Sequence, residues 1–363
     1  MKFYDKELKA LKRAERFRTR EVVDYSVKDF ASNDYLGLAH KKELHEAAAL
    51  ELSLNAVHAP KASMLVNGYH QIHKDFEDAL CQANGFEAGI VLGSGFNANI
   101  ALIESLVRKG DRLFIDELYH ASGVLASHIG EMDVVVFRHN DMEHLEELLK
   151  RSDAKRSLIA VEGIYSMDGD LCAKEVFGIA DRYEALLLVD EAHSSGVVGK
   201  NLMGVFEHYG IDIKENYIKM GTLGKAYGSF GAFILSSSHI NEYLLNRAKP
   251  IIYATSLSLY DTLLAHKSLE YILSNAAMLK QEIFLRQQIV EQTLGIEIEG
   301  LIVPIVYSDN KKVIAIKNEL LKEGFAIGAI RQPTVPKAIV RLIARLGESK
   351  EDLQKLCERV AKV

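Results

Sequence analysis

The amino-acid sequence predicts an α/β protein: a large domain with a mainly parallel seven-stranded sheet between helices, and a smaller α+β domain at the C-terminal end. Three observations carry this. Short apolar runs recur between residues 89 and 235, helix-like stretches separate several of them, and residues bearing functional groups follow nearly every run. Runs that are apolar throughout, rather than alternating, are buried on both faces, and interleaved helices are the crossovers that a parallel sheet requires. On this reading the chain divides into an N-terminal arm over 1–38, a large domain over 39–257, and a connecting helix with the small domain over 258–363.

In chain order, residues 5–20 are rich in Lys, Arg, Glu, Leu and Ala, the composition of an exposed or docking helix. Within them Lys12, Arg13, Arg16, Arg18 and Arg20 form either a solvated helix face or a patch for an acidic partner. Asp29–Leu38 mixes polar and aromatic residues, as a strand or loop would, and His40–Asn55 is helical in composition. Ala59–Ser63 reads as a loop and Val66–His70 as a turn. The segment His70–Ala83 places Ile72, Phe76, Leu80 and Ala83 at helical spacing. The seven expected strands are Gly89–Leu92, Arg112–Ile115, Val134–Phe137, Leu158–Val161, Leu186–Val189, Tyr217–Met220 and Ala232–Leu235. Helices are expected at Asn97–Arg108, Met142–Arg151 and Glu175–Tyr183, and a helix-rich segment spans Ser258–Gln288. Beyond it, strands at Leu301–Tyr307 and Lys337–Ala344 alternate with helices at Asp309–Leu321 and Ser349–Val363.

Composition narrows the function classes. The 363 residues suffice for a large and a smaller core, and 48% hydrophobic with 26% charged residues is ordinary for a globular enzyme. A net charge of −6 lacks the basic stripe that nucleic-acid binding demands. Cys81, Cys172 and Cys357 are far apart and form neither a metal pattern nor a disulfide framework, which is usual for a reducing compartment. The start, Met1-Lys2-Phe3-Tyr4, lacks the apolar core of a signal peptide, and no apolar run is long enough to span a membrane. The expectation is a cytoplasmic protein.

Ligands of open α/β sheets bind at the carboxyl ends of the strands, so the residues that follow each run are the candidates. Gly93-Ser94-Gly95-Phe96-Asn97 leads into a helix, where free N–H groups and the positive end of the helix dipole favour an anion such as phosphate; by itself it could equally be a plain strand-to-helix turn. Asp190 closes the run Ala185–Val189, and a carboxylate there needs a cation or several donors, unless it simply caps the next turn. His193 lies three residues on, and the pair lacks a third metal ligand at recognisable spacing, so no metal is expected. His120 offers a flat face for a ring. The glycine-rich loop Gly221–Gly231 carries Lys225. It is not a nucleotide phosphate loop, because Lys219 stands where that motif has glycine and Ala226 where it has Ser or Thr. A lysine amine, a phosphate cradle, a carboxylate for a protonated ring nitrogen and a stacking histidine together meet the needs of pyridoxal phosphate.

These residues, with Ser32-Asn33-Asp34-Tyr35-Leu36-Gly37-Leu38, Ser122, the stretch Glu162–Asp170, Asp190-Glu191-Ala192-His193 and Ala329-Ile330-Arg331-Gln332-Pro333-Thr334-Val335-Pro336, carry a resemblance. From about Phe30 to Arg341 the chain resembles the α-oxoamine synthase family of fold-type I pyridoxal phosphate enzymes. Its Ala-Ile-Arg-x-Pro-Thr-Val-Pro stretch is most similar to the branch that condenses L-alanine with a pimeloyl thioester, on coenzyme A or acyl carrier protein, in biotin synthesis. The resemblance implies that Lys225 forms a Schiff base with the cofactor, Asp190 holds the ring nitrogen protonated, His193 bonds the ring hydroxyl and His120 stacks on the ring. It places Gly95, Phe96, Asn97 and Thr222 at the phosphate, Ser166 near the ring, and Asn33 and Arg331 at the substrate. Thr255 matches a position that reaches the neighbouring subunit's phosphate, which implies a homodimer with shared sites. Other branches use glycine or serine with another acyl thioester; Asp190 and Lys225 alone would also suit a fold-type I aminotransferase. Two stretches depart from the family pattern: Ala59–Gly68, where relatives have a glycine-rich Gly-Ser-Arg segment near the acyl-carrier entrance, and Ile343, where relatives have a second arginine.

Overall fold

The computed structural model describes all residues except 1, 15, 21, 23, 308 and 363. Glu15 and Val363, inside two of the expected helices, therefore lie outside the described residues. The chain forms two compact units: Asn33–Ser166 with Asp170–Ile283, and Met1–Ser32 with Met167–Gly169 and Phe284–Val363.

The first unit is built on a seven-stranded sheet. Its spatial order is Ala88–Leu92, Ala232–Ser236, Tyr217–Thr222, Leu186–Asp190, Ser157–Glu162, Arg112–Asp116 and Asp133–Phe137. The last five strands run parallel to one another. Ala232–Ser236 is antiparallel to both of its neighbours. The cause is the short segment Leu223–Gly231 that precedes it: a parallel return requires a crossover of a dozen or more residues, and this loop has room only to reverse the chain. Lys225 therefore sits in a tight connection between two adjacent strands rather than on a crossover.

Helix Gly95–Leu106 covers one face of the sheet. Its Ala98, Leu102 and Leu106 pack in one cluster with Leu113, Leu158, Leu188, Ile218 and Ile234 from five successive strands. Burial of each such leucine or isoleucine is worth about 1.5–3 kcal/mol. Ser94 caps this helix, accepting from the Asn97 backbone N–H at 3.2 Å, and Asp141 caps Met142–Lys150 likewise through His144 at 2.8 Å. Both caps fix where the preceding strand ends and the helix begins.

The second unit holds a three-stranded antiparallel sheet, with Ile339–Ile343 between Gly328–Ile330 and Ile302–Val306. Lys28–Asp29 pairs in parallel with Phe325–Ala326, which ties the segment before residue 30 into this unit. Arg345 is almost fully buried and donates to Asp29 at 2.7 Å, closing the same junction. The helix expected over 5–20 covers only Asp5–Arg13 and has no buried residue. The connecting segment forms one continuous helix, Leu259–Leu294, which begins in the first unit and ends in the second. Among the described residues no helix is long and apolar enough to cross a membrane.

Candidate active site

Parallel pairing aligns the strand ends, and the register places Asp190 opposite Glu162 on one side and Met220 on the other. Around them lies a cavity whose wall includes Gly95, Phe96, His120, Asp190, His193, Thr222 and Lys225. Seven residues drawn from four separate stretches of sequence thus face one space.

Asp190 is 4% exposed. Its Oδ2 accepts from Asn99 Nδ2 at 2.9 Å and its Oδ1 from the Ala192 N–H at 3.0 Å. Asn99 is held in turn, donating to Ser122 Oγ at 2.9 Å and accepting from Tyr119 OH at 2.7 Å. The network orients the carboxylate from behind, so that it faces the cavity. Glu162, fully buried beside it, has its pKa raised well above the ordinary value, by burial first and by the Asp190 charge second.

His120 lines the cavity, and its Nδ1 lies 2.7 Å from Ser122 Oγ. Its ring remains exposed by area yet is closely surrounded by protein atoms. Desolvation first, then the Lys225 charge, lowers its pKa against the opposing pull of Asp190, which keeps the imidazole neutral at pH 7. A neutral, flat ring suits stacking. On the opposite side Lys225 Nζ lies 3.0 Å from His193 Nε2, and His193 Nδ1 lies 2.5 Å from Tyr35 OH.

The anion end is assembled by close approach. A Cβ at Gly95 would lie 2.6 Å from Thr222 Cγ2, so only glycine lets the helix start beside Thr222. Thr222 Oγ1 is buried without a hydrogen-bond partner there, beside the outward-pointing N–H groups of the first helical turn. A buried hydroxyl of this kind, next to a helix N-terminus, fits an anionic group that accepts from it.

The remaining candidates stand apart from the cavity wall. Asn97 is tied through its backbone to Ser94. Ser166 is buried and donates its N–H to Glu162 Oε2 at 2.9 Å. Asn33 accepts from Tyr35 OH at 3.3 Å. Thr255 is exposed; the next residue, Ser256, donates to the Ala62 carbonyl at 3.0 Å, which binds this segment to the unusual 59–68 loop. Arg331 belongs to the second unit, directly after its strand Gly328–Ile330.

The sequence alone assigns no role to Asn99, Ser122, Glu162 or Tyr35, although the last three stand in the motifs that carry the resemblance. Nor does it single out His139, which clamps the loop behind the site. His139 Nδ1 lies 3.0 Å from Asp116 and its Nε2 2.8 Å from Asp170, while Asn140 donates to Asp170 at 2.9 Å. Burial opposes its protonation, but bonds to two carboxylates outweigh burial and raise the pKa to about 10. A raised pKa stabilises the fold fully below the unfolded value of about 6.5 and loses that contribution as pH climbs toward 10. His139→Gln is thus expected to cost about 1–2 kcal/mol at pH 6.5. The difference from the parent should shrink between pH 7 and 10 in urea denaturation; a gap that stays constant over this range would refute the charge-based account.

Comparison with known proteins agrees with this geometry. The family model for "Aminotransferase class I and II" matches residues 26–360. An 8-amino-7-oxononanoate synthase of Helicobacter pylori is 43% identical over 355 residues, 97% of this chain and 95% of that protein. The enzyme of the same name from Saccharophagus degradans is 34% identical, over 99% of this chain and 95% of its own. Among solved structures, a serine palmitoyltransferase of S. paucimobilis with bound PLP–myriocin aldimine superposes with a TM-score of 0.89 at 25% identity, covering 98% of this chain and 96% of that one. The 8-amino-7-oxononanoate synthase of Francisella tularensis superposes with a TM-score of 0.77 at 27% identity, covering 93% and 98%. With a family model spanning nearly its whole length and relatives this similar, the chain belongs to the class I and II aminotransferase family of fold-type I pyridoxal phosphate enzymes, in its α-oxoamine synthase branch.

Proposed function

We propose that the chain is an acyltransferase of biotin biosynthesis that uses pyridoxal 5′-phosphate to condense L-alanine with a pimeloyl thioester, forming 8-amino-7-oxononanoate. In the overall reaction a C–C bond forms between the alanine α-carbon and the thioester carbonyl. The thiol of coenzyme A or acyl carrier protein leaves, and the alanine carboxyl departs as carbon dioxide. The observation that carries this reading is the convergence, in one cavity, of the Lys225–His193 pair with the Asp190 carboxyl that Asn99 orients.

When bound, the cofactor supplies a protonated ring that withdraws electrons from the amino acid's α-carbon. The protein's residues do the rest. Asp190, aimed by Asn99 and the Ala192 N–H, would keep a proton on the ring nitrogen. His120 would stack on the ring and His193 would bond its hydroxyl. Gly95, Phe96, Asn97 and Thr222 would hold the phosphate, with Ser166 near the ring. Lys225 would hold the cofactor covalently, then take the α-proton on Nζ and return it. Asn33 and Arg331 would orient the substrate carboxylate. Thr255 would reach the site of a second copy, making the working unit a homodimer in the cytoplasm.

The test is an absorbance titration of the purified protein, first with pyridoxal phosphate and then with L-alanine, glycine and L-serine. The expected result is a visible band that L-alanine alone perturbs, with release of free thiol and carbon dioxide in equal amounts once pimeloyl thioester is added. A response to glycine or serine in place of alanine would overturn the substrate, and the lack of any visible band would overturn the cofactor.

A further inference from the structure

Tyr35 is fully buried and sits behind His193, on the side away from Lys225. Its hydroxyl lies 2.5 Å from His193 Nδ1 and 3.3 Å from Asn33 Oδ1, and His193 Nε2 lies 3.0 Å from Lys225 Nζ. These four side chains form one hydrogen-bonded file: Asn33, Tyr35, His193, Lys225. The chemistry of the file is asymmetric. An amide oxygen only accepts, a neutral imidazole has one donor and one acceptor nitrogen, and a phenol can do either by turning about its C–O bond.

Two arrangements satisfy the imidazole, and the phenol's single hydrogen goes to Asn33 in one and to His193 in the other. In one, Lys225 donates to Nε2, the Nδ1–H donates to the phenol oxygen, and the phenol donates to Asn33. In the other, the phenol turns and donates to Nδ1, so that Nε2 carries the hydrogen and presents a donor to the cavity. The first arrangement suits a protonated Lys225. The second suits a neutral Lys225, or an anionic oxygen standing beside His193. No net charge is gained by the histidine in passing from one to the other.

We propose that Tyr35 is a positioning residue that sets the tautomer of His193, switching Nε2 between acceptor and donor as Lys225 changes protonation. The inference rests on the reading of Lys225 and His193 as the centre of the site. A histidine needs a partner on its second nitrogen to hold one tautomer, and phenylalanine at position 35 would keep the packing while removing that partner.

The test is ¹⁵N NMR of the histidine ring nitrogens in protein free of added cofactor, with the His193 signals identified from a His193→Gln variant. In the parent at pH 7, His193 is expected to show one dominant tautomer, with Nδ1–H favoured. In Tyr35→Phe its two ring nitrogens should move toward the averaged shifts of a mixed population, while the thermal midpoint stays close to the parent's. With pyridoxal phosphate bound, the pH midpoint of the visible band should move by about one unit in Tyr35→Phe. Turnover should fall roughly tenfold, with the KM for the amino acid changed less, the scale found when a histidine's orienting partner is removed. Should Tyr35→Phe fold poorly, 3-fluorotyrosine placed at position 35 keeps the ring and makes the phenol a stronger donor; it should shift the balance toward the Nε2–H tautomer. Unchanged His193 nitrogen shifts in both variants would overturn the proposal, leaving Tyr35 as core filling. Because the NMR readout needs neither cofactor nor substrate, a wrong choice of amino acid or thioester would fail the absorbance test above and leave this one standing.

Discussion

Lys225→Ala is expected to lower turnover by at least about 10³-fold if, as proposed, one amine is both covalent anchor and proton carrier, since no neighbouring group replaces it in both. The nearest nitrogen, His193 Nε2, is 3.0 Å away but cannot form the bond to the cofactor that a primary amine forms. The fold should be almost untouched: Lys225 lies in a loop at the end of the Tyr217–Thr222 strand, only partly buried and outside the apolar core. Two measurements separate the roles. After borohydride treatment, mass spectrometry should find pyridoxal phosphate fixed to the parent and not to the variant, and steady-state kinetics should show the loss in kcat. Retention of more than a tenth of the parent's turnover would remove Lys225 from the chemistry.

The largest loss of stability is expected one strand-end away. Lys219 and Glu191 are both essentially inaccessible, with Nζ 3.6 Å from Oε1. Lys219 also donates to Asn84 Oδ1 at 2.8 Å and to the Met203 carbonyl. Glu191 accepts from the Val205 N–H and, at 2.5 Å, from Ser194 Oγ. Burial lowers the lysine's pKa, and the glutamate's charge opposes that shift. Lys219→Met keeps the volume but strands a buried carboxylate, which costs about 3–5 kcal/mol. The double variant Lys219→Met with Glu191→Gln should recover part of that loss, because no charge is left without a partner. Urea denaturation at pH 7 measures both; a single-variant loss under about 1 kcal/mol would mean that the pair contributes nothing beyond packing.

How much of this was legible in the sequence depends on the range over which each signal acts. The seven strands could be read because continuous apolar runs report two-sided burial locally; the helix expected from Asn97 in fact begins two residues earlier, at Gly95, where Ser94 caps it. The reversed direction of Ala232–Ser236 followed from the shortness of the loop before it, a clue that was present and not used. Gly328–Ile330 is too short to show any period. The contacts of Tyr35 with His193 and of Asn99 with Asp190 span 158 and 91 residues of chain, and nothing local distinguishes those residues from ordinary core tyrosine and asparagine. His139 was missed for the same reason: its meaning lies in two carboxylates, one at a strand end and one in a loop, brought from elsewhere in the chain.

The turn Asp190–Ser195 is enclosed by backbone on two sides, and this bears on any attempt to redesign the protein. At Gly204, where φ is +94°, an added Cβ would collide with the Glu191 carboxylate, and at Gly163 one would run into Ser194 Oγ. A side chain at either position would displace the Glu191 carboxylate or the Ser194 hydroxyl, which bond each other beneath this turn. Phe96 is the reverse case: it lines the same cavity yet is 46% exposed, so its side chain can change without disturbing a buried neighbour. A library meant to alter which amino acid enters should therefore randomise position 96 and hold 163 and 204 fixed, because freedom to evolve new selectivity is concentrated on the solvent side of the pocket and is almost nil behind it.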